Sequence, residues 1–187
     1  MDNHIIHIFI YKHMKIGILI IATNSYLPLG IRFIKKFIHH YKGKCSINFH
    51  FISDDNPMDY LPDNVNIKWI KQNHNSWLNA TNSKFNNILS LDSNDDYLYY
   101  FDADTNIDKD FTEDWFIGDL VGGEHYGNKT SMLNSKPYDR NPKSKCYIPE
   151  DTELEQIYYY GAFFGGKLEN VINFCKILKS NQDEDKK

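Results

Sequence analysis

The chain has 187 residues, of which 41% are hydrophobic and 25% charged, and its formal net charge is -4 at neutral pH. This balance is typical of one globular domain and excludes a disordered chain. The acidic net charge argues against a nucleic-acid-binding protein, which usually has a basic face. It is compatible with an anionic small ligand when a metal ion supplies positive charge locally.

The first residues contain no recognisable membrane span or leader peptide. The apolar run Ile5 to Tyr11 is interrupted by His7, is far too short to cross a bilayer and lacks a small-residue cleavage site. Met14 directly precedes the first convincing strand, so we expect residues 1–14 to be a loosely held extension. Three cysteines without CxxC spacing indicate a reducing compartment and no zinc site. The sequence therefore predicts a soluble, cytoplasmic protein.

The predicted elements alternate between strands and helices. Lys15–Thr23 is a continuous apolar run typical of a buried parallel strand, and a helix with one apolar stripe follows from Leu29 to Tyr41. Two strands, a second helix and a fourth strand follow at Ile47–Ser53, Val65–Lys71, Trp77–Leu91 and Tyr97–Phe101. This order predicts an α/β fold with a mostly parallel sheet, as one domain over residues 15–180. The charged tail, residues 181–187, has no core positions and is expected to be frayed.

Asp102 and Asp104 follow the fourth strand directly. In an extended segment, side chains at i and i+2 project to the same side, and ligands of open α/β sheets bind beyond the carboxyl ends of the strands. Two carboxylates there can hold Mn²⁺ or Mg²⁺, and such an ion would neutralise charge on a departing nucleoside diphosphate. Asp108–Asp110 and Asp183–Asp185 have the same spacing, but neither pair follows a hydrophobic strand. On spacing alone, a metal site and a solvated turn both remain open.

A second segment suited to a ligand is Tyr158–Gly166, which reads YYYGAFFGG. Glycines allow the backbone to approach a ligand closely, and aromatic faces stack on sugars or bases. A buried strand with a bend at Gly165 and Gly166 would account for the same residues. Both interpretations are open when the segment is considered by itself.

Together, these segments resemble glycosyltransferase family 6, which contains the blood-group A and B transferases and the α-1,3-galactosyltransferases. The resemblance extends from about Lys15 to Ser180 and is strongest over Tyr138–Gly166, where YDRNP, YIP, the aromatic residues and FFGG follow the family order. It implies the GT-A fold. It also implies a retaining transferase that moves galactose or N-acetylgalactosamine from a UDP-sugar to an oligosaccharide acceptor, a galactoside, in α-1,3 linkage.

The resemblance also implies roles for individual residues. Asp102 and Asp104 match the metal-binding pair, with Mn²⁺ or Mg²⁺ as the expected cofactor, and His125 matches a histidine that contacts the acceptor sugar. The residues that match the family's donor site are Ile21, Ala22, Thr23, Tyr26, Trp77, Lys84, Ala103, Tyr160, Gly161 and Ala162.

Several of these matches have an alternative. Lys84 takes a position that is usually Arg in the family, and it keeps the charge but loses the bidentate fork. Alanine at 162 resembles the galactose-preferring members, although some members with alanine use N-acetylgalactosamine. As residues alone, Tyr26 can cap its turn and His125 can be a surface-loop histidine.

Members of the family continue to a Trp-His-Asp-Glu motif, whose glutamate lies beneath the anomeric carbon. The 187 residues contain no such motif, so no catalytic residue is assigned. Two alternatives to an active enzyme therefore stay open. One is a UDP- and metal-binding module without activity, and the other is a subunit completed by another chain.

Overall fold

The computed structural model describes residues 14–125, 138–150 and 158–186, with Trp77 described by its backbone alone. Six strands form one sheet in the order β3-β2-β1-β4-β6-β5. The first four strands of this order are parallel, and β6 runs antiparallel between β4 and β5. The strands are β1 Lys15–Ile21, β2 Ser46–Ser53, β3 Ile67–Lys71, β4 Tyr97–Asp102, β5 Leu120–Glu124 and β6 Tyr159–Lys167.

Within the described ranges, three helices cover the two faces of the sheet: α1 Leu27–His40, α2 Trp77–Leu89 and α3 Leu168–Glu184. Helix α1 packs on one face through Phe33 and Phe37, and α2 and α3 pack on the other. Side chains along β1 alternate between the two cores, as expected of a strand buried on both faces. Among the described helices, none is long and apolar enough to cross a membrane.

The predicted α/β fold is confirmed, with small shifts at the element ends. Helix α1 begins at Leu27, earlier than predicted, because Pro28 has the fixed φ and missing N–H that suit a first helical turn. Strand β5 was not predicted, because a five-residue strand with two glycines has little hydrophobic pattern. The aromatic segment forms the strand β6, but only Gly165 and Gly166 of it are buried, so the expectation of a buried strand is met in part. A role of this segment in ligand binding stays a prediction.

The expectation of a frayed charged tail is wrong for residues 181–184. Helix α3 continues to Glu184, where the Lys145 ammonium lies 2.8 Å from the Glu184 carboxylate. The side chain of Asp185 accepts a hydrogen bond of 2.9 Å from the backbone N–H of Lys145. These contacts with a distant loop provide the tail with partners that its own sequence does not contain. The predicted extension lies outside the described residues except for Met14.

The edge of the sheet where β1 and β4 end is a topological switch point. The chain leaves β1 towards β2 on one side, while β4 lies on the other side. Ile21, the last residue of β1, is paired with Asp102, the last residue of β4. The crevice between the two connections is the position where open α/β sheets bind ligands.

Candidate functional site

A cavity of about 320 Å³ lies at this edge of the sheet. One wall is the turn after β1, the second is the end of β4, and the third is the first turn of α2. Carboxylate, hydroxyl and amide groups all face the space, which therefore suits a polar ligand. The lining residues are Ile21, Thr23, Asn24, Ser25, Tyr26, Asn75, Ser76, Ala80, Thr81, Tyr100, Asp102, Ala103 and Asp104.

The turn after β1 is held in place by Asn24. This residue has a φ of 56°, a left-handed conformation that asparagine tolerates better than most residues. Its backbone N–H donates to Asp54 Oδ1 at 2.7 Å, and its side-chain amide donates to the carbonyl of His74 at 2.7 Å. Tyr26 occupies the N-cap position of α1 without a side-chain capping bond. Its side chain instead lines the cavity with Thr23.

Asp102 and Asp104 reach the cavity by a different route from the one predicted. Strand β4 ends at Asp102, and the chain then turns, with the Thr105 N–H donating to the Asp102 carbonyl at 3.0 Å. The premise of an extended segment is therefore wrong. The turn nevertheless brings both carboxylates to the same cavity, with Ala103 buried between them.

The Asp102 carboxylate has two close neighbours. The hydroxyl of Tyr100 donates to Asp102 Oδ1 at 2.5 Å, and the Lys84 ammonium lies 3.8 Å from the same oxygen. The Lys84 side chain is only 8% exposed. Its pKa is lowered by burial, which outweighs the opposite effect of Asp102. Burial raises the pKa of Tyr100 well above its ordinary value, and the nearby carboxylates raise it further, so its hydroxyl remains a proton donor.

The cavity fits a hard divalent cation better than a zinc ion. The described part of the chain contains no group of three or more His, Cys, Asp or Glu that could hold a metal. A closed zinc site needs four such ligands. Mg²⁺ commonly takes one or two carboxylates and completes its coordination with water and substrate phosphates. Asp102 and Asp104 supply that number of carboxylates.

A second, more apolar cavity of about 490 Å³ lies between β5, β6 and α3. Tyr160, Gly161 and Lys84 line it, and the Lys84 ammonium donates to the Gly161 carbonyl at 2.7 Å. Lys84 thus contacts both Asp102, which lines the first cavity, and Gly161, which lines the second. Ala162 comes one residue before Phe163, which pairs with Phe101 across β4 and β6, so it lies at the same edge of the sheet as Asp102.

Besides Lys84, Tyr160, Gly161 and Ala162, three further predicted site residues do not line the first cavity or have side chains outside the description. Ala22 is fully buried and faces Gly30 of α1, where any side chain on residue 30 would collide with it. His125 is exposed just after β5; its N–H donates to the Tyr158 carbonyl at 2.8 Å, and its ring is 5.9 Å from that of Tyr160. The backbone of Trp77 begins α2, and its side chain lies outside the described residues.

Several cavity residues were missed from the sequence. Tyr100 could have been found by the two-residue period of a strand, which places it on the same face as Asp102. Ser76 could have been found as the N-cap of α2, since its hydroxyl accepts from the Asn79 N–H at 3.2 Å. Asn24 and Ser25 lie in the loop after β1, where open α/β sheets are expected to bind ligands. Asn75 and Thr81 carry no comparable signal, and only the approach of their segment to that loop identifies them.

A mixed sheet flanked by helices, with a polar cavity and a carboxylate pair at the end of a central strand, is the arrangement of a GT-A-like glycosyltransferase domain. The sequence model of glycosyltransferase family 6 matches residues 2–187, and the chain belongs to this family. The family predicted from the sequence is thereby confirmed.

Individual relatives agree with this assignment. The chain is 28% identical over 178 residues to globoside alpha-1,3-N-acetylgalactosaminyltransferase 1 of Gallus gallus. The aligned region covers 88% of this chain and 50% of the relative. The chain is 25% identical over 187 residues to histo-blood group ABO system transferase 1 of Rattus norvegicus, covering 95% of this chain and 53% of the relative. Transferase 2 of the same system and organism is also 25% identical, with 55% of its length covered. The chain spans about half the length of these curated relatives.

Proposed function

We propose that this chain binds a UDP-sugar with a divalent metal ion and transfers galactose or N-acetylgalactosamine, with retention, to a galactoside in α-1,3 linkage. The observation that carries the proposal is that Asp102 and Asp104 line one cavity with the turn after β1, in a chain of glycosyltransferase family 6. The relatives are named as an α-1,3-N-acetylgalactosaminyltransferase and two ABO transferases. Both donor sugars therefore belong to the proposal.

The uridine would occupy the part of the cavity next to the turn after β1. Thr23 and Tyr26 line this part, and Tyr26 provides an aromatic face for stacking on the base. The hydrogen bonds of Asn24 to Asp54 and to the His74 carbonyl keep the turn in its shape before a ligand binds. A wall that is already ordered loses little conformational entropy on binding.

The diphosphate would lie between the end of β4 and the start of α2. Asp102 and Asp104 would hold Mn²⁺ or Mg²⁺, which neutralises charge on the leaving diphosphate when it is bound. The first turn of α2 borders the same cavity through Ser76 and Ala80, and the positive end of the helix dipole favours an anion there. Lys84 adds a fixed positive charge close to Asp102.

The transferred sugar would lie towards Gly161 and Ala162 on β6, at the same edge of the sheet as Asp102. The hydrogen bond from Lys84 to the Gly161 carbonyl holds this strand end close to the Asp102 side chain. His125 follows β5 and Tyr160 lies on the neighbouring strand β6, with their rings 5.9 Å apart. We assign the acceptor to this end of the strand pair.

UDP release from UDP-galactose and from UDP-N-acetylgalactosamine tests this proposal, with lactose or a fucosylated galactoside as acceptor and with Mn²⁺ or a chelator. We expect metal-dependent release, and a decrease of about 100-fold in Asp102→Asn, because the metal contributes several kcal/mol to transition-state stabilisation. Asp108→Asn is the matched control, since Asp108 belongs to a pair of the same spacing outside the first cavity.

The outcome also separates an enzyme from a binding module. Metal-dependent binding of UDP without turnover on any acceptor, in a folded sample, would support the alternative of a UDP- and metal-binding module. No binding of UDP by calorimetry, with or without Mn²⁺, would contradict both interpretations.

A further inference from the structure

We propose that Tyr100 is a positioning residue for the metal-binding carboxylate of Asp102: it fixes one carboxylate oxygen and leaves the other for the metal ion. This inference rests on the proposed function, because it requires that Asp102 binds a metal. It goes beyond that function by naming the side chain that sets the orientation of the ligand.

The geometry separates the two oxygens of the Asp102 carboxylate. Oδ1 accepts the Tyr100 hydroxyl at 2.5 Å and lies 3.8 Å from the Lys84 ammonium. Among the residues that the structure describes, no hydrogen bond reaches Oδ2. The Asp102 side chain is 39% exposed and lines the cavity, so its second oxygen is accessible to a ligand.

Tyr100 is itself held firmly, which a positioning role requires. Its side chain is 5% exposed, and its ring centre lies 5.6 Å from that of Phe164 on β6. The Lys84 ammonium lies 4.2 Å from the centre of the same ring, within range of a cation–π interaction. Because the ring is buried against Phe164 and Lys84, the hydroxyl is held on Asp102 before any metal or donor arrives.

The chemistry of the contact suits a donor to a metal ligand. The phenol hydroxyl of Tyr100 carries one proton to donate, and an ionised carboxylate such as that of Asp102 can only accept it. A hydrogen bond to an ionised acceptor is stronger than a neutral one. Ligating carboxylates commonly depend on such outer contacts for their orientation, and losing one typically weakens metal binding 10- to 100-fold.

The test compares Tyr100→Phe with Tyr99→Phe. The first change removes only the hydroxyl and keeps the ring against Phe164 and Lys84. Tyr99 is the adjacent residue on the same strand, is fully buried in the core of the opposite face, and donates its hydroxyl to the Phe116 carbonyl at 2.5 Å. Both variants lose one buried hydroxyl with one short hydrogen bond, but only Tyr100 contacts Asp102.

The readout is the dissociation constant of Mn²⁺ in the presence of UDP, measured by electron paramagnetic resonance below the melting midpoint of each variant. We expect Tyr100→Phe to weaken Mn²⁺ binding about tenfold and Tyr99→Phe to leave it unchanged. Equal Mn²⁺ affinity of Tyr100→Phe and the unchanged chain would overturn this inference and leave the proposed function intact. Equal losses in both variants would also overturn it, as a general effect of stability. Absence of Mn²⁺ binding in the unchanged chain would overturn both proposals.

Discussion

The Lys84 ammonium lies 3.8 Å from Oδ1 of Asp102 and donates a 2.7 Å hydrogen bond to the carbonyl of Gly161. A single buried cation therefore links the carboxyl end of β4 to the start of β6. The Lys84 side chain lines the second cavity, and its ammonium lies close to Asp102, which lines the first. A change at Lys84 should consequently affect both Asp102, the proposed metal ligand, and the end of β6 that we propose lies next to the transferred sugar.

Lys84→Met tests this link. Methionine keeps the length of the side chain but loses the charge and the bond to Gly161, so we expect UDP-sugar binding to weaken about tenfold, as for the loss of one charged hydrogen bond. Isothermal titration calorimetry with UDP-galactose and Mn²⁺ measures the change. Lys68→Met on β3 is the control, because Lys68 is about half exposed and bonds to Asp92, far from the cavity. Equal affinities in the two variants would contradict a role for Lys84 in donor binding.

Substitution by alanine should destabilise the fold at Gly165 but not at Gly161, although both glycines lie on β6. A methyl group on Gly165 would lie 2.2 Å from the Tyr99 ring and 2.5 Å from the Leu98 carbonyl oxygen, whereas one on Gly161 would meet only the Lys84 ammonium at 3.7 Å. We expect Gly165→Ala to lower the free energy of unfolding by about 2 kcal/mol, as overpacking does. Gly161→Ala should change it by less than about 0.5 kcal/mol. Urea unfolding of both variants measures the difference, and equal values would contradict the described packing of β6 against β4.

Asp95, at the opposite end of the sheet, should contribute pH-dependent stability. Burial raises the pKa of its carboxyl group, but hydrogen bonds from His50, Ser93 and Asn48 outweigh this effect and hold the pKa below its ordinary value. A lowered folded-state pKa stabilises the fold above the pKa of the unfolded state, about 3.9 for Asp. This stability is lost as the pH falls through the lower, folded-state value.

Asp95→Asn should therefore lower the free energy of unfolding at pH 7 by about 2 kcal/mol, because the acceptor of several charge-assisted bonds is removed. The difference from the unchanged chain should become smaller as the pH is lowered from about 4. Guanidinium unfolding over a pH series measures it, with the exposed Asp63→Asn as the control at pH 7. A difference that is independent of pH would show that the Asp95 charge does not stabilise the fold.

The three cysteines should differ in their reaction with a thiol reagent. All three are free; Cys45 and Cys175 are buried, whereas Cys146 is exposed. Burial raises the pKa of the Cys45 thiol to about 11 and that of Cys175 to about 12, so both are protonated at pH 8. We expect one fast-reacting thiol in the native chain and three after unfolding, as measured with a chromogenic disulfide reagent.

Cys146→Ser supplies the control for this experiment. It should abolish the fast reaction and leave the two slow thiols unchanged. Fast reaction of two or three thiols in the native chain would contradict the burial of Cys45, directly before β2, and of Cys175 on α3.

Most of the fold could be predicted from hydrophobic patterns. The apolar run that became β1 and the stripe that became α1 are local features, and their lengths identify the element type. Strand β5 was missed because its glycine-rich sequence has little hydrophobic pattern. It forms by pairing with β6, which is distant in the sequence. The continuation of α3 to Glu184 was missed for the same reason, since Lys145 stabilises it from another part of the chain.

The site was predictable only in part. Asp102 and Asp104 could be singled out because they directly follow a hydrophobic strand, and the resemblance to the family pointed to Lys84. The turn that brings Asp104 into the cavity was not predicted, since the same spacing in an extended chain suggested another geometry. The burial of Ala22 in the core was also not predicted, because Ala22 directly precedes Thr23, which does line the cavity.

The sequence by itself determined the α/β class, the family and the identity of the carboxylates, because strand periodicity and motif order are local properties of the chain. Only the tertiary structure decided which groups meet around Asp102. Lys84 comes from α2 and Gly161 from β6, 77 residues apart in the sequence, and they are joined by one hydrogen bond of a buried ammonium. Such contacts depend on how helices pack across the sheet, and no local pattern encodes that packing. The two carboxylates were therefore visible in the sequence, while the contacts of Lys84 with Asp102 and Gly161 were defined by the fold.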